Sequence, residues 1–319
     1  MQNLDASLVI VNYRTAELTD RCLSLAGAAP DGPLLERVVV DNASGDGSVR
    51  HLRQRHPDVT VIEQPANRGF AAGVNAGFSA TTAPYVVVLN PDTEPEPEAL
   101  IRLVDHLRRH PGVGVAAPLL LHQGGAVQRN AHRRFPNLLT LFVDFCVPLG
   151  YALALKPELH PHELSERATE RGGEAEHVNG AVLAIRRSAY ESAGGFDEEF
   201  FMYLEETEWQ QRVRRRGWSI EVVPSARVTH LTRAGATMTE ISGRYLPSIY
   251  RYMGMQGHGD RSVDWVLAIA SALSRLFLAV VAGLFPSKRE RSLELLAFHR
   301  SVSDYVKTRR CADEARVRQ

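Results

Sequence analysis

Asp92 closes the apolar run Val86–Leu89 in the stretch VVVLNPDTEPEPEAL. A carboxylate there has two uses. Asn90-Pro91-Asp92 can be an Asx-Pro turn that ends a strand, or Asp92 can hold a hard divalent cation, with Asn90 as a weaker or indirect contact. Asp41, in DNAS, can cap the next turn or accept a hydrogen bond from a ligand N–H. In NRGFAAGVNAGF, Arg68 precedes a run of small residues at which backbone can approach closely; it is either a surface charge or a phosphate partner. Glu205, Glu206 and Glu208 follow Phe200, Phe201 and Tyr203. Acids at a helix start suit the macrodipole, while a carboxyl against apolar walls acquires the raised pKa of a general base. His230 ends the last apolar run, as a structural histidine or as a neutral metal ligand.

Something must bring these groups together, and the first 121 residues show what it is. Apolar runs at Ser7–Tyr13, Arg37–Asp41, Val59–Glu63, Tyr85–Asn90 and Val113–Leu121 alternate with helical segments at Ala16–Gly27, Ser48–His56, Phe70–Ala80 and Glu96–His110. In the last of these, Leu100, Leu103, Val104 and Leu107 form one helical face. Continuous apolar strands between helices predict an α/β fold with a mostly parallel sheet, covered on both faces. Ligands of such sheets bind beyond the carboxyl ends of the strands, where Asn12-Tyr13, Asp41-Asn42 and Asn90-Pro91-Asp92 fall. From Gln123 to Glu176 no period is evident, and long loops with short helices are expected. Glu176 to His230 reads as strand, helix, Gly-Gly turn, acidic loop, helix and final strand.

At 319 residues, with 44% apolar and 23% charged side chains, the chain has ample material for a core. Basic and acidic residues balance, so bulk charge points away from nucleic acid. Cys22, Cys146 and Cys311 have no metal or redox spacing, which favours a reduced, cytoplasmic compartment. SLVIVNY is too short for a signal segment and reads as the first strand. The apolar stretch Trp265–Phe285 is long enough to span a bilayer, but Arg275 near its middle would cost about 2.5–3.5 kcal/mol. Asp264, Ser271 and Arg275 share one stripe, and Lys288, Arg289 and Arg291 follow. A membrane-surface helix over residues 263–291 is expected, against a helix packed on protein or a true span.

Together and in this order, SLVIVNYRT, VVVDNASGDGS, NRGFAAGVNAGF, VVVLNPDTE, VNGAVLAIRR, GGFDEEFFMYLEE and VPSARVTH resemble the family 2 glycosyltransferases of GT-A fold. The likeness runs from Ser7 to His230 and is nearest to bacterial rhamnosyltransferase-like members. It implies a catalytic domain over residues 1–240, with a nucleotide-binding half (1–121) and an acceptor-binding half (122–240), and a helical extension over 241–319. It also implies that Val11, Tyr13, Asp41, Arg68 and Asn90 contact the donor nucleotide, and that Asp92 and His230 hold Mg2+ or Mn2+. Gly180 and Ala181 would line the sugar pocket, Arg133 and Arg134 would contact the acceptor, and Glu206, beside Glu205, would be the base. The implied reaction is inverting transfer from a nucleotide sugar, dTDP-rhamnose favoured over a UDP-sugar, to a glycan or lipid-linked glycan. A cytoplasmic enzyme, peripheral on the inner face of the cell membrane, is the matching expectation.

Glu206 and Glu208 replace the Asp residues usual at these positions. That departure leaves a rival reading, a weakly catalytic binding or scaffold protein. A doubly wound dehydrogenase is excluded, because VNYRTAEL lacks the Gly-x-Gly-x-x-Gly turn.

Overall fold

The computed structural model describes residues 6–26, 36–129, 131–132, 134–156, 159–231 and 238–317. Its contacts divide the chain into two units, Met1–Phe135 with Glu163–Arg233, and Pro136–His162 with Ala234–Gln319. The segment Pro136–His162, placed by the sequence within 122–240, therefore groups with the C-terminal helices.

In the first unit, strands β1 (Ala6–Asn12), β2 (Glu36–Asp41), β3 (Thr60–Glu63) and β4 (Tyr85–Leu89) alternate with helices α1 (Ala16–Ala26), α2 (Ser48–Arg55) and α3 (Phe70–Ser79). There follow β5 (Thr93–Pro95), α4 (Ala99–Arg109), β6 (Val113–Leu121) and β7 (Ala131–His132). In the second unit, α5 (Leu138–Phe145) and α6 (Val147–Ala154) come next. The chain returns to the first unit with α7 (Glu166–Arg171), β8 (Gly173–Ala175), β9 (His177–Val178), β10 (Val182–Arg186), α8 (Arg187–Ala193), α9 (Glu205–Arg215) and β11 (Ser219–His230).

The main sheet has the order β3-β2-β1-β4-β10-β6-β11-β5, with β8 also paired to β11. β1 is parallel to β2 and β4, and β6 is parallel to β11. β10 runs antiparallel between β4 and β6. This inversion positions the site. The carboxyl ends of β1, β2 and β4 lie on one sheet edge, and an antiparallel β10 delivers its amino end to that same edge. Val182 pairs with Leu89, and the Asn90 N–H donates to the Ala181 carbonyl at 2.8 Å, so VNGA meets NPD.

The β1 and β4 runs are apolar at their centres because both sheet faces are covered: Leu8, Ile10, Val87 and Leu89 pack with α4, and Val9, Val86 and Val88 with α3 and Trp209. Burying a side chain of this size contributes about 1.5–3 kcal/mol.

The second unit is completed by α10 (Met238–Met255), α11 (Asp260–Leu284) and α12 (Arg289–Val317), the last two joined by a 3-10 turn at Pro286–Lys288. Asn137 caps α5 with a full capping box, accepting from the N–H groups of Leu139 and Thr140. Between α5 and α6, Ser274 of α11 donates to the Phe145 carbonyl and accepts from the Val147 N–H, both at 2.9 Å.

Candidate active site

The site begins where β1, β2 and β4 end. Asp41 closes its own turn: Oδ1 accepts from Asn12 Nδ2 and Ser44 Oγ, each at 2.6 Å, and Oδ2 from the Ser44 N–H at 2.9 Å. Asn12 in turn accepts from the hydroxyls of Thr15 and Thr19. Asp41 is thus fully buried as a cap, with acceptor capacity left on Oδ2. It borders a cleft of about 480 Å³ whose wall includes Ala43, Gly45, Ser48, Arg50, Arg53 and Gln64. Tyr13 is exposed beside Arg14, whose guanidinium sits 5.3 Å from the Tyr13 ring centre. Val11 is different; its side chain is buried in the core with Ala71 and Val74.

Asp92 and His230 are brought together by β5. That strand pairs antiparallel with β11, His230 opposite Thr93, and the Leu231 N–H donates to the Asp92 carbonyl at 2.8 Å. His230 Nε2 then lies 3.5 Å from Asp92 Oδ1. The other ring nitrogen, Nδ1, donates to Gln128 Oε1 at 3.0 Å. An amide oxygen can only accept, so Nδ1 carries a proton, and the ring is oriented with Nε2 toward Asp92. Among the described residues no three His, Cys, Asp or Glu side chains are arranged to hold a metal ion by themselves. Asp92 and His230 fit a hard cation that takes its remaining ligands from phosphate and water. Asn90 is held at this edge by its backbone, and its carbonyl accepts from Thr93 Oγ1 at 2.7 Å.

The carboxylates of α9 approach from the other side. Tyr203 and Leu204 both have left-handed backbone, φ 73° and 66°, at a cost of about 1–3 kcal/mol each. That bend starts α9 at Glu205. Gln210, one turn further along, clamps β9: its Oε1 accepts from the Val178 N–H and its Nε2 donates to the Val178 carbonyl, both at 2.8 Å. The clamp brings Gly180 against Glu206, so close that a methyl on Gly180 would lie 3.0 Å from Glu206 Cγ. Burial raises the Glu206 carboxyl above its usual range, partly offset by the backbone N–H groups of Glu206, Gly180 and Thr207. Glu205 is pushed well up by burial and then by the neighbouring Glu206 charge. Both Glu205 Oε2 and Glu206 Oε2 are buried without a hydrogen-bond partner.

Glu208 has a separate task. It grips Arg212 with two bonds of 2.7 and 2.8 Å, and Arg212 donates to the carbonyls of Ala193 and Gly195. The longer side chain here serves the scaffold under the Gly-Gly turn. Arg68 pairs with Glu198 at 2.5 Å, and Asn75 of α3 donates to the same carboxylate at 2.9 Å. Gly69, at φ 91°, abuts the Phe201 carbonyl so tightly that any side chain would collide, tying the NRGF turn to the FFMYL loop.

The sequence profile of glycosyl transferase family 2 matches residues 7–193, more than half of the chain. The chain belongs to glycosyltransferase family 2. This family 2 glycosyltransferase is 31% identical, over 70% of its length and 75% of the relative's, to the N-acetylglucosaminyl-diphospho-decaprenol L-rhamnosyltransferase of Mycobacterium tuberculosis. It is 27% identical to the low-salt glycan biosynthesis hexosyltransferase Agl10 of Haloferax volcanii, over 90% and 87% of the two chains. Among solved structures, the mannosyltransferase of Pyrobaculum calidifontis, in complex with GDP-Man and Mn2+, superposes with a TM-score of 0.58 at 18% identity, covering 94% and 86% of the chains. GalNAc-T7 with UDP, GalNAc and Mn2+ gives 0.53 at 15% identity, over 72% of this chain and 44% of that one. The fold is GT-A.

Of the residues singled out in the sequence, Tyr13, Asp41, Asn90, Asp92, Gly180, Glu205, Glu206 and His230 lie at strand, helix and loop ends toward the sheet edge where β1, β2 and β4 finish. Val11 and Ala181 reach that edge through their backbone, their side chains being core. Arg134 is exposed, two residues beyond β7, which pairs with β9 ahead of VNGA. Arg133 lies outside the described residues. Gln128 and Gln210 have no motif signal in the sequence, and Glu198, inside GGFDEEFFMYLEE, carries none as the partner of Arg68 and Asn75; these partners are distant and only folding reveals them.

Proposed function

We propose that the chain is an inverting glycosyltransferase, dependent on Mg2+ or Mn2+, that moves rhamnose from dTDP-rhamnose to a hydroxyl of a lipid-diphosphate-linked glycan. The choice of sugar and acceptor rests on the similarity to the mycobacterial N-acetylglucosaminyl-diphospho-decaprenol L-rhamnosyltransferase. The observation that carries the reaction type is the unpartnered, buried Glu206 Oε2 beside Gly180, on the sheet edge that also holds Asp92 and His230. Its raised pKa suits an oxygen that must take a proton at neutral pH.

The acceptor hydroxyl gives its proton to Glu206 as its oxygen bonds to the anomeric carbon. The bond from that carbon to the diphosphate oxygen breaks on the opposite face, so configuration inverts. A cation held by Asp92 and His230 would neutralise charge growing on the leaving diphosphate. Burial and the neighbouring Glu206 charge push the Glu205 carboxyl well up, which favours its neutral form beside Glu206. Asp41 and Tyr13 would contact the base, and Arg68 would exchange Glu198 for the donor phosphates. A cytoplasmic location completes the proposal, in keeping with three unpaired cysteines.

The test is a panel of nucleotide sugars with and without Mn2+, read by thermal stabilisation and by transfer to a lipid-diphosphate glycan. A donor at 100 times its Kd stabilises by about 2.7 kcal/mol. Glu206→Gln keeps that metal-dependent stabilisation and loses transfer by at least about a hundredfold, whereas Asp92→Asn loses the metal dependence. Transfer unchanged in Glu206→Gln would sink the assignment.

A further inference from the structure

Outside the active site, the feature that the reaction does not use is the outer face of α11. A helix on a wet surface turns its apolar stripe inward and keeps its outer face polar; α11 is apolar on both sides. Its buried face carries Val263, Leu267, Ala270 and Leu278 together with Asp264, Ser271 and Ser274. Asp264 accepts from the Tyr250 hydroxyl at 2.5 Å and from Arg310 at 2.8 Å, and Ser271 meets His299 Nδ1 at 3.3 Å. Its exposed face repeats Trp265, Ile269, Leu273, Leu276, Val280 and Leu284 at spacings of three or four, each at least 43% exposed. Except for Tyr13 and Phe201, every exposed large apolar side chain among the described residues lies in the second unit. Scattered surface apolars need no explanation, but a continuous stripe does.

The charges beside the stripe indicate its partner. No Asp or Glu occurs from Trp265 to Arg289, while Lys288, Arg289 and Arg291 follow the stripe directly and are exposed. Lys288 Nζ sits 5.7 Å over the Phe285 ring, and Arg275 is exposed on the same helix. An apolar strip followed by exposed cations, of which Arg291 also pairs with Glu294 at 2.5 Å, matches an anionic bilayer surface. α11 is long and apolar enough to cross a membrane. A crossing, however, would strip Asp264 of Tyr250 and Arg310 and carry a bare carboxylate into hydrocarbon.

We propose that α11 docks along an anionic membrane surface, its Trp265–Leu284 stripe in the acyl boundary and Lys288, Arg289 and Arg291 on lipid phosphates. This goes beyond the transfer reaction and stands without it. The test is flotation of the full chain with phosphatidylcholine vesicles, with and without phosphatidylglycerol, beside Leu276→Asp, Val280→Asp and a Lys288/Arg289/Arg291→Ala triple variant. All five positions are exposed, so circular dichroism and thermal denaturation should match the parent. The parent floats with anionic vesicles and only weakly with neutral ones. Each aspartate lowers partitioning by at least about tenfold. The triple variant loses on the order of a hundredfold on anionic vesicles and little on neutral ones. Absence of flotation overturns the proposal, as does flotation indifferent to Leu276→Asp. A dimer in sedimentation that Leu276→Asp dissociates, with no vesicle binding, would assign the stripe to a second copy. Resistance to alkaline carbonate extraction would mean a span instead.

Discussion

Replacing Gly180 by alanine perturbs Glu206 without altering it. The added methyl would lie 3.0 Å from Glu206 Cγ, 3.2 Å from Cβ and 3.4 Å from Cδ. Carbon atoms are comfortable at about 3.5–4.0 Å, so the glutamate must recede by a few tenths of an ångström. A misplacement of about 1 Å costs roughly a hundredfold in rate, and a third of that shift costs about fivefold in kcat. Stability moves little, because two effects oppose. Overpacking costs about 1 kcal/mol, and the unfolded chain loses glycine's freedom, which returns about 0.4–1 kcal/mol where the backbone is not left-handed. Gly180 is not among the left-handed glycines. The assay is kcat and KM for the donor at saturating acceptor, with thermal denaturation alongside. The expected result is a kcat lower by about fivefold, an unchanged donor KM and an unchanged Tm. In a Glu206→Gln background the same substitution should do nothing more, since the displaced base is already gone. A kcat unaffected by Gly180→Ala, or an equal loss in both backgrounds, would refute Glu206 as the base.

Two further outcomes follow from the same geometry. Gln128→Leu frees the His230 ring, so Mn2+ affinity in the presence of a nucleoside diphosphate should fall about 10- to 100-fold, as read by paramagnetic resonance titration; unchanged affinity would remove Gln128 from the site. Glu205→Gln should flatten the pH dependence of stability. With its folded-state pKa raised, Glu205 binds protons better in the native state. Stability therefore falls as pH rises from the unfolded carboxyl value of about 4.3 through the folded value, by at most about 1.4 kcal/mol per pH unit. Urea denaturation should show the variant equal to the parent at acid pH and more stable at alkaline pH. Parallel profiles would show that Glu205 is not held protonated.

Much of the fold was legible because burial on both sheet faces demands long apolar, β-branched runs. The ends of β1, β2 and β4 fall within a residue of those runs, and the acids of α9 sit where its macrodipole favours them. The polar residues at those strand ends were therefore visible as a site before any coordinates. β5 was not visible. It is three residues long and ends in a proline, without periodicity of its own, and it forms only because β11 offers an edge. Without it nothing connects Asp92 to His230. Glu208 shows the opposite case: two residues from Glu206 in sequence, it is turned by the helix into the Arg212 scaffold.

The C-terminal helices divide in the same way. Composition alone determined that Trp265–Phe285 is an apolar helix with a basic end, because hydropathy and charge belong to the residues themselves. Which side of that helix meets water was decided only by packing. Tyr250, Arg310, His299 and the α5–α6 junction satisfy the polar groups on the packed side, where Val263, Leu267, Ala270 and Leu278 are also buried, and the apolar stripe from Trp265 to Leu284 is left outside. Local chemistry is written along the chain, but hydrogen-bond partners distant in sequence become neighbours only when the chain folds.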